Sequence, residues 1–180
     1  MANKVASPHG FQPLRHISGG CVSMNEYPID PTDTTKIYNG DPVVLTAGLA
    51  GLAGADAAAI LGIFAGVMFV NSKGEQVFSP YWDGVLGSKE VKALVYDDPN
   101  ISFKVQRSTA TVQADIGTAV GNLAGTGMLD SIGRSTAKVG DAVVNDIWTI
   151  RSIVNTPDNV SDDTLNLEVE VVCTGMTMNA

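Results

Sequence analysis

Residues 92–106 read KALVYDDPNISFKVQ, and no other stretch limits the fold so strongly. The apolar run Ala93-Leu94-Val95-Tyr96 ends in Asp97-Asp98-Pro99-Asn100, four turn formers in a row. Pro99 fixes φ and has no N–H, which suits a turn and breaks a strand ladder. Beyond it Ile101, Phe103 and Val105 alternate with Ser102, Lys104 and Gln106, the period that gives a strand one buried and one wet face. The spacing predicts two strands joined by a tight turn. A second unit precedes it: residues 60–69 are apolar, Asn71-Ser72-Lys73-Gly74 is a turn, and Gln76-Val77-Phe78 returns. Two hairpin-like units in succession predict a β-barrel or sandwich closed by aliphatic and aromatic side chains.

The other segments agree with an all-β chain. Val22 and Met24 share one face of a short strand over residues 21–27. Asn39-Gly40-Asp41 is a strong turn signal before the β-branched run Pro42-Val43-Val44-Leu45-Thr46. Residues 48–59 are rich in Gly and Ala and read as a loop or a short helical turn. Residues 110–120, ATVQADIGTAV, form the one expected helix, short and weakened by Gly117 and by β-branched side chains. Residues 141–153 return to strand character, with Trp148 and Ile150 on one face. Residues 165–171, LNLEVEV, alternate without a miss, after a polar loop over 155–163. The expected core is Phe64, Val67, Phe69, Ile101, Phe103, Val105, Leu167, Val169 and Val171. Phe103→Ala should then be costly and Ser102→Ala, on the wet face, nearly silent.

A chain of 180 residues with 44% hydrophobic and 17% charged residues suits one globular domain, large enough to bury roughly 70% of its unfolded surface. The net charge of −8 disfavours nucleic acid, which calls for a basic footprint. The first twenty residues nevertheless carry +2 from Lys4 and Arg15 and contain no acid, leaving −10 on the rest. Pro8, Gly10, Pro13 and Gly19-Gly20 prevent regular structure there, while Phe11, Leu14 and Ile17 supply apolar anchors. Residues 1–20 are therefore expected to be an extended arm that docks on another surface, and residues 21–180 the β-barrel domain. On that reading, removing residues 1–18 leaves the body folded. The arm residues Phe11, Leu14, Arg15, His16 and Ile17 are the expected partner contacts, with Arg15 placed to pair bidentately with a carboxylate. Tyr81 and Trp82, in a loop marked by Pro80 and Asp83-Gly84, are the next candidates; they either meet a partner or fold back over the barrel mouth.

Patterns that carry chemistry are not apparent. His9 and His16 lie on an irregular stretch, where a triad would need a rigidly held imidazole. Cys21 and Cys173 are far apart and match no zinc spacing; they read as two reduced thiols, a disulfide requiring an oxidising compartment. The acidic cluster at 158–163 lacks the ligand pattern of a calcium loop, and the glycines at 48–54 precede no Lys-Ser/Thr of a phosphate loop. The expectation is a protein that is not an enzyme, with no catalytic residues, metal or cofactor. Residues 46–70 are apolar enough to test as a membrane span, but Asp56 and repeated glycines interrupt them without a basic flank, so no membrane association is expected.

Several segments together resemble the head decoration, or capsid cement, proteins of tailed bacteriophages. They are SPHGFQPLRHISGG (residues 7–20), NGDPVVL (39–45), LGIFAGVMFVNSKGEQVFSPYW (61–82) and ALVYDDPNISFKVQ (93–106), in the same order and spacing over about two thirds of the chain. The Gly/Ala-rich residues 48–59 have no match in that pattern. The resemblance implies a distorted, β-tulip-like barrel with one short helix and an extended N-terminal arm. It implies a structural virion protein, assembled in the host cytoplasm, that sits on the capsid exterior as a homotrimer, binds the major capsid protein and stabilises the shell. Another virion component, such as a tail-tube or head-completion protein, and a carbohydrate-binding β-module stacking sugars on Tyr81 and Trp82 are the alternatives.

Overall fold

The structure, a computed structural model, describes residues 6–55, 57–85, 88–123, 125, 127–128, 130–141, 145–157, 159 and 167–176. Alternating and apolar runs produce strands nearly throughout, and all ladders between strands are antiparallel. One sheet has the spatial order β1 (Gln12–His16), β8 (Ile101–Gln106), β12 (Glu168–Cys173), β11 (Trp148–Ile153), β9 (Ala119–Leu123), β10 (Lys138–Gly140). The other runs β2 (Asn25–Pro28), β7 (Lys89–Tyr96), β5 (Gly62–Val70), β3 (Pro42–Thr46), β4 (Leu49–Leu52), with β6 (Gln76–Ser79) paired to the far end of β5. Neither sheet closes by a ladder. In the first, β10 meets the chain just past β8 through the single bridge Arg107↔Val139; in the second, β2 and β4 approach without pairing.

The stretch at 92–106 does make two strands and a turn, but not a hairpin. β7 pairs with β2 and β5, whereas β8 pairs with β1 and β12, so Asp97-Asp98-Pro99-Asn100 carries the chain from one sheet to the other. Asp97 anchors that crossing: its buried carboxylate accepts hydrogen bonds from Asn25 Nδ2 and from the Tyr27 hydroxyl. The second unit, β5 and β6, is a true hairpin closed by Asn71–Glu75 backbone pairing. Another hairpin lies in the Gly/Ala-rich segment. β3 and β4 pair from Thr46↔Leu49 onward across the two-residue turn Ala47-Gly48, both with positive φ (51° and 81°), the twist a tight hairpin needs.

The expected helix at 110–120 is absent. It is replaced by one 3-10 turn, Gln113–Asp115, and the start of β9, because Ile116 is extended and Gly117 has φ +91°. The short strand expected at 21–27 starts instead at Asn25, and residues 18–24 are exposed. The final strand is Glu168–Cys173; residues 165 and 166, and most of the acidic loop at 158–163, lie outside the described residues.

The expected core residues divide between two clusters, the first of which also takes in Ile63 of the second sheet, and Leu167 is buried as well. Ile101, Phe103, Val105, Val169 and Val171 pack with Phe11, Trp148 and Ile150. Phe64 and Val67 pack with Ile37, Trp82 and Val95, with Phe69 at the margin. Tyr96 of β7 joins them, its ring edge-on to Phe103 at 6.4 Å. β8 is buried on both faces: Ser102 is as inaccessible as Phe103, which overturns its expected wet position. No helix among the described residues is long and apolar enough to cross a membrane.

Candidate interaction surface

The N-terminal segment begins with a close backbone approach. Gly10 (φ +70°) lies against Gly40 (φ +90°), and a Cβ on Gly10 would stand 2.9 Å from the Gly40 carbonyl oxygen. There the Phe11 N–H donates to the Gly40 carbonyl at 3.0 Å, and the Phe11 ring enters the first core, stacked on Trp148 at 4.5 Å. Residues 12–16 then add to β8 as β1, with a bulge between Pro13 and Arg15, and the Ile17 N–H donates to the Asn100 carbonyl. The separate docking arm is thus corrected: residues 10–17 are integrated into the body. The reason is that Phe11 fills a core position and β8 offers a free edge.

Of the five arm residues expected to bind a partner, Leu14 alone projects a large apolar side chain outward, 46% exposed. Arg15 does make the bidentate carboxylate pair, but internally: Nε and Nη2 donate to Glu170 at 2.9 and 3.1 Å. Burial pushes the Glu170 carboxyl up, but hydrogen bonds from Arg15, Ser152 and Ser102 more than offset it and hold it below the usual range. His16 is nearly covered and its Nε2 donates to Asp98 at 3.0 Å, while Gly20 N–H donates to its Nδ1 at 3.1 Å. Ile17 is half-buried.

Ser18 Oγ, the His16 ring and Asp98 stand in a row, 3.1 Å to Nδ1 on one side and 3.0 Å from Nε2 on the other, an arrangement that the sequence reading of His16 missed. The nitrogen that would take a serine proton already accepts the Gly20 N–H, so the row caps the turn after β1. His9 pairs with Glu168 at 3.3 Å. Arg107, buried beneath the 3-10 turn, is held by Asp115 at 2.6 Å and Asp141 at 2.7 Å. Asp41 lies at the junction of the sheets; burial pushes its carboxyl up, against hydrogen bonds from the Ser135 hydroxyl and the Tyr38 N–H. Among the described residues no group of three His, Cys, Asp or Glu side chains is placed to hold a metal ion.

The aromatic pair of the 78–85 loop is divided by the fold. Trp82 is buried in the second core, edge-on to Phe69 at 5.7 Å, with its indole N–H donating to the Asp33 carbonyl at 3.3 Å. Tyr81 is half-buried, its ring laid against Gly133. Trp82 therefore presents no platform for a sugar, and its expected partner role is corrected. The side chains that do face outward are Phe78, 60% exposed, and Val85, 48% exposed. They line one groove of about 320 Å³ beside Tyr81. The sequence held a signal for Phe78: it pairs with Met68 at the position of the hairpin that alternation assigns to the outer face.

No family model, curated protein or solved structure matches this chain.

Proposed function

We propose that this chain is a capsid cement protein of tailed bacteriophages, a structural component that binds the outer surface of the shell and bridges adjacent major capsid subunits. In this reading the two curled sheets correspond to the distorted, tulip-like barrel of that group, and the protein acts as a homotrimer over threefold seams. The collinear sequence segments support it, and three of them now have structural duties: Gly10-Phe11 docks on Asn39-Gly40, and the residues after Tyr96 cross between sheets.

The observation that carries the reading is the pair Phe78 and Val85, large apolar side chains exposed together beside Tyr81. Such a patch on a rigid sheet suits attachment to protein. Weak contacts suffice, because a trimer engages several subunits at once and effective concentration amplifies each. The cement acts by mass action: a protein that binds the expanded shell better than its precursor stabilises the expanded form.

The test is electron microscopy of particles purified with and without this chain. The reading requires density on the shell exterior at threefold positions that vanishes with the chain. Density confined to the tail would instead favour a tail-tube component.

A further inference from the structure

An uncovered sheet edge offers unpaired N–H and C=O groups to any extended chain, so folds blunt their edges with charge, proline, bulges or cover. β1 carries Pro13, Arg15 and a bulge. β2 carries Glu26 and Pro28, and β4 lies close to β2. β10 is three residues long, starts at Lys138 and is tied to Arg107. β6, four residues long between Glu75 and Pro80, has no charge, proline or bulge within it. Gln76, Val77, Phe78 and Ser79 are uncharged, their register with β5 runs unbroken from Val70↔Gln76 to Val67↔Ser79, and β5 is their one strand partner among the described residues.

The surroundings of β6 define what would lie on it. The Phe78 ring rests across Gly66, where a Cβ would come within 2.9 Å, and still leaves most of its surface outward. Val77, Phe78, Pro80, Tyr81 and Val85 line the adjoining groove. Of the charges at the groove, Asp83 is already engaged by Lys36, whose Nζ is 2.6 Å away.

We propose that the β6 edge and its groove accept an extended, uncharged segment of the shell subunit, which adds as a strand to the second sheet. This rests on the reading of the chain as a shell-binding protein. The segment is extended because main-chain groups are what the edge offers. It is uncharged because an incoming charge would be desolvated against the apolar side chains of the groove, where Asp83 is already engaged by Lys36. Apolar side chains at alternate positions fit the groove beside Phe78 and Val85. A second copy pairing β6 with β6 would make a two-fold contact, which cannot close the three-fold ring proposed above.

The experiment adds full-length protein to particles stripped of it and compares wild type with Phe78→Lys, Phe78→Ala and, beside the opposite sheet, exposed Ile116→Lys. Phe78→Lys should weaken apparent binding by at least about tenfold, Phe78→Ala by less, and Ile116→Lys should bind as wild type. Hydrogen exchange at the amides of residues 76–79 in wild type should slow on binding. If wild type binds but Phe78→Lys binds equally and those amides stay unprotected, the edge inference is wrong while the shell reading stands. If wild type binds no particle, the shell reading itself fails. If Phe78→Lys instead lowers the oligomeric mass in free solution, the edge belongs to a second copy and the inference is overturned.

Discussion

The Phe11 ring stacks on Trp148 with centroids 4.5 Å apart and planes inclined by 24°. One residue of an acid-free, proline-broken terminus thereby becomes part of a core that draws on strands from β5 to β12. Phe11→Ala should cost about 3–5 kcal/mol, the range for a buried aromatic truncated in a packed core. Removing residues 1–18 should cost more, because the β1 ladder and the Arg15–Glu170 pair go with it. Denaturant unfolding followed by tryptophan fluorescence measures both; a truncated protein with an unchanged midpoint would return the segment to the status of an arm.

Ser102 and Phe103 are neighbours on β8, and both are inaccessible. Phe103→Ala should lose about 3–5 kcal/mol. Ser102→Ala should lose on the order of 1 kcal/mol, since its buried hydroxyl lies within hydrogen-bond reach of both the Arg15 carbonyl and the Glu170 carboxylate. A loss near zero for Ser102→Ala, read in the same unfolding experiment, would mean that the outer face of β8 is wet.

The Arg15–Glu170 pair has a pH signature. Glu170 is held below the ordinary carboxyl value in the folded chain, so the stability it confers is complete above that value, about 4.3, and is lost as pH falls through the lowered one. Asp98, lowered first by the Asn100 N–H and further by His16, adds a loss of the same sign. Arg15→Gln should start less stable at neutral pH and lose less between about pH 5 and pH 2, because Glu170 then titrates closer to its unfolded value. Parallel acid-unfolding curves for the two proteins would contradict the pair.

The thiols should separate by reactivity. Cys21 is exposed, whereas burial pushes the Cys173 thiol up to about 12. At mildly alkaline pH a maleimide should modify Cys21 at once and Cys173 after denaturation only, because the thiolate is the nucleophile. Rapid modification of both in the native protein would contradict the burial of β12.

Much of the strand content could be read from alternation, since Ile101, Phe103, Val105 and Val169, Val171 each point inward as their period requires. Sheet membership could not. The turn formers at 97–100 look alike whether they close a hairpin or cross between sheets, and what decides is Asp97 holding Asn25 and Tyr27, a long-range contact. Similarly, the polar side of β8 and β12 reads as solvent-facing, yet Arg15 folds over Glu170 and Ser102 and covers it. In the candidate site, Arg15 was recognisable as a carboxylate partner, but not that the carboxylate belongs to this same chain. Phe78 shares its strand face with Gln76, which marks it as outward, but Trp82 lies beyond the strand, where alternation does not say whether an aromatic fills a core.

The central claim is that this chain secures an expanded shell, and the most direct measurement is its binding to expanded and unexpanded shells side by side. Purified protein is titrated onto each, and bound copies are counted by sedimentation. Saturable binding to expanded shells, at least about tenfold tighter than to unexpanded ones, is the predicted result, corresponding to about 1.4 kcal/mol of preference per site. Equal binding to both, or binding to neither, would contradict the account.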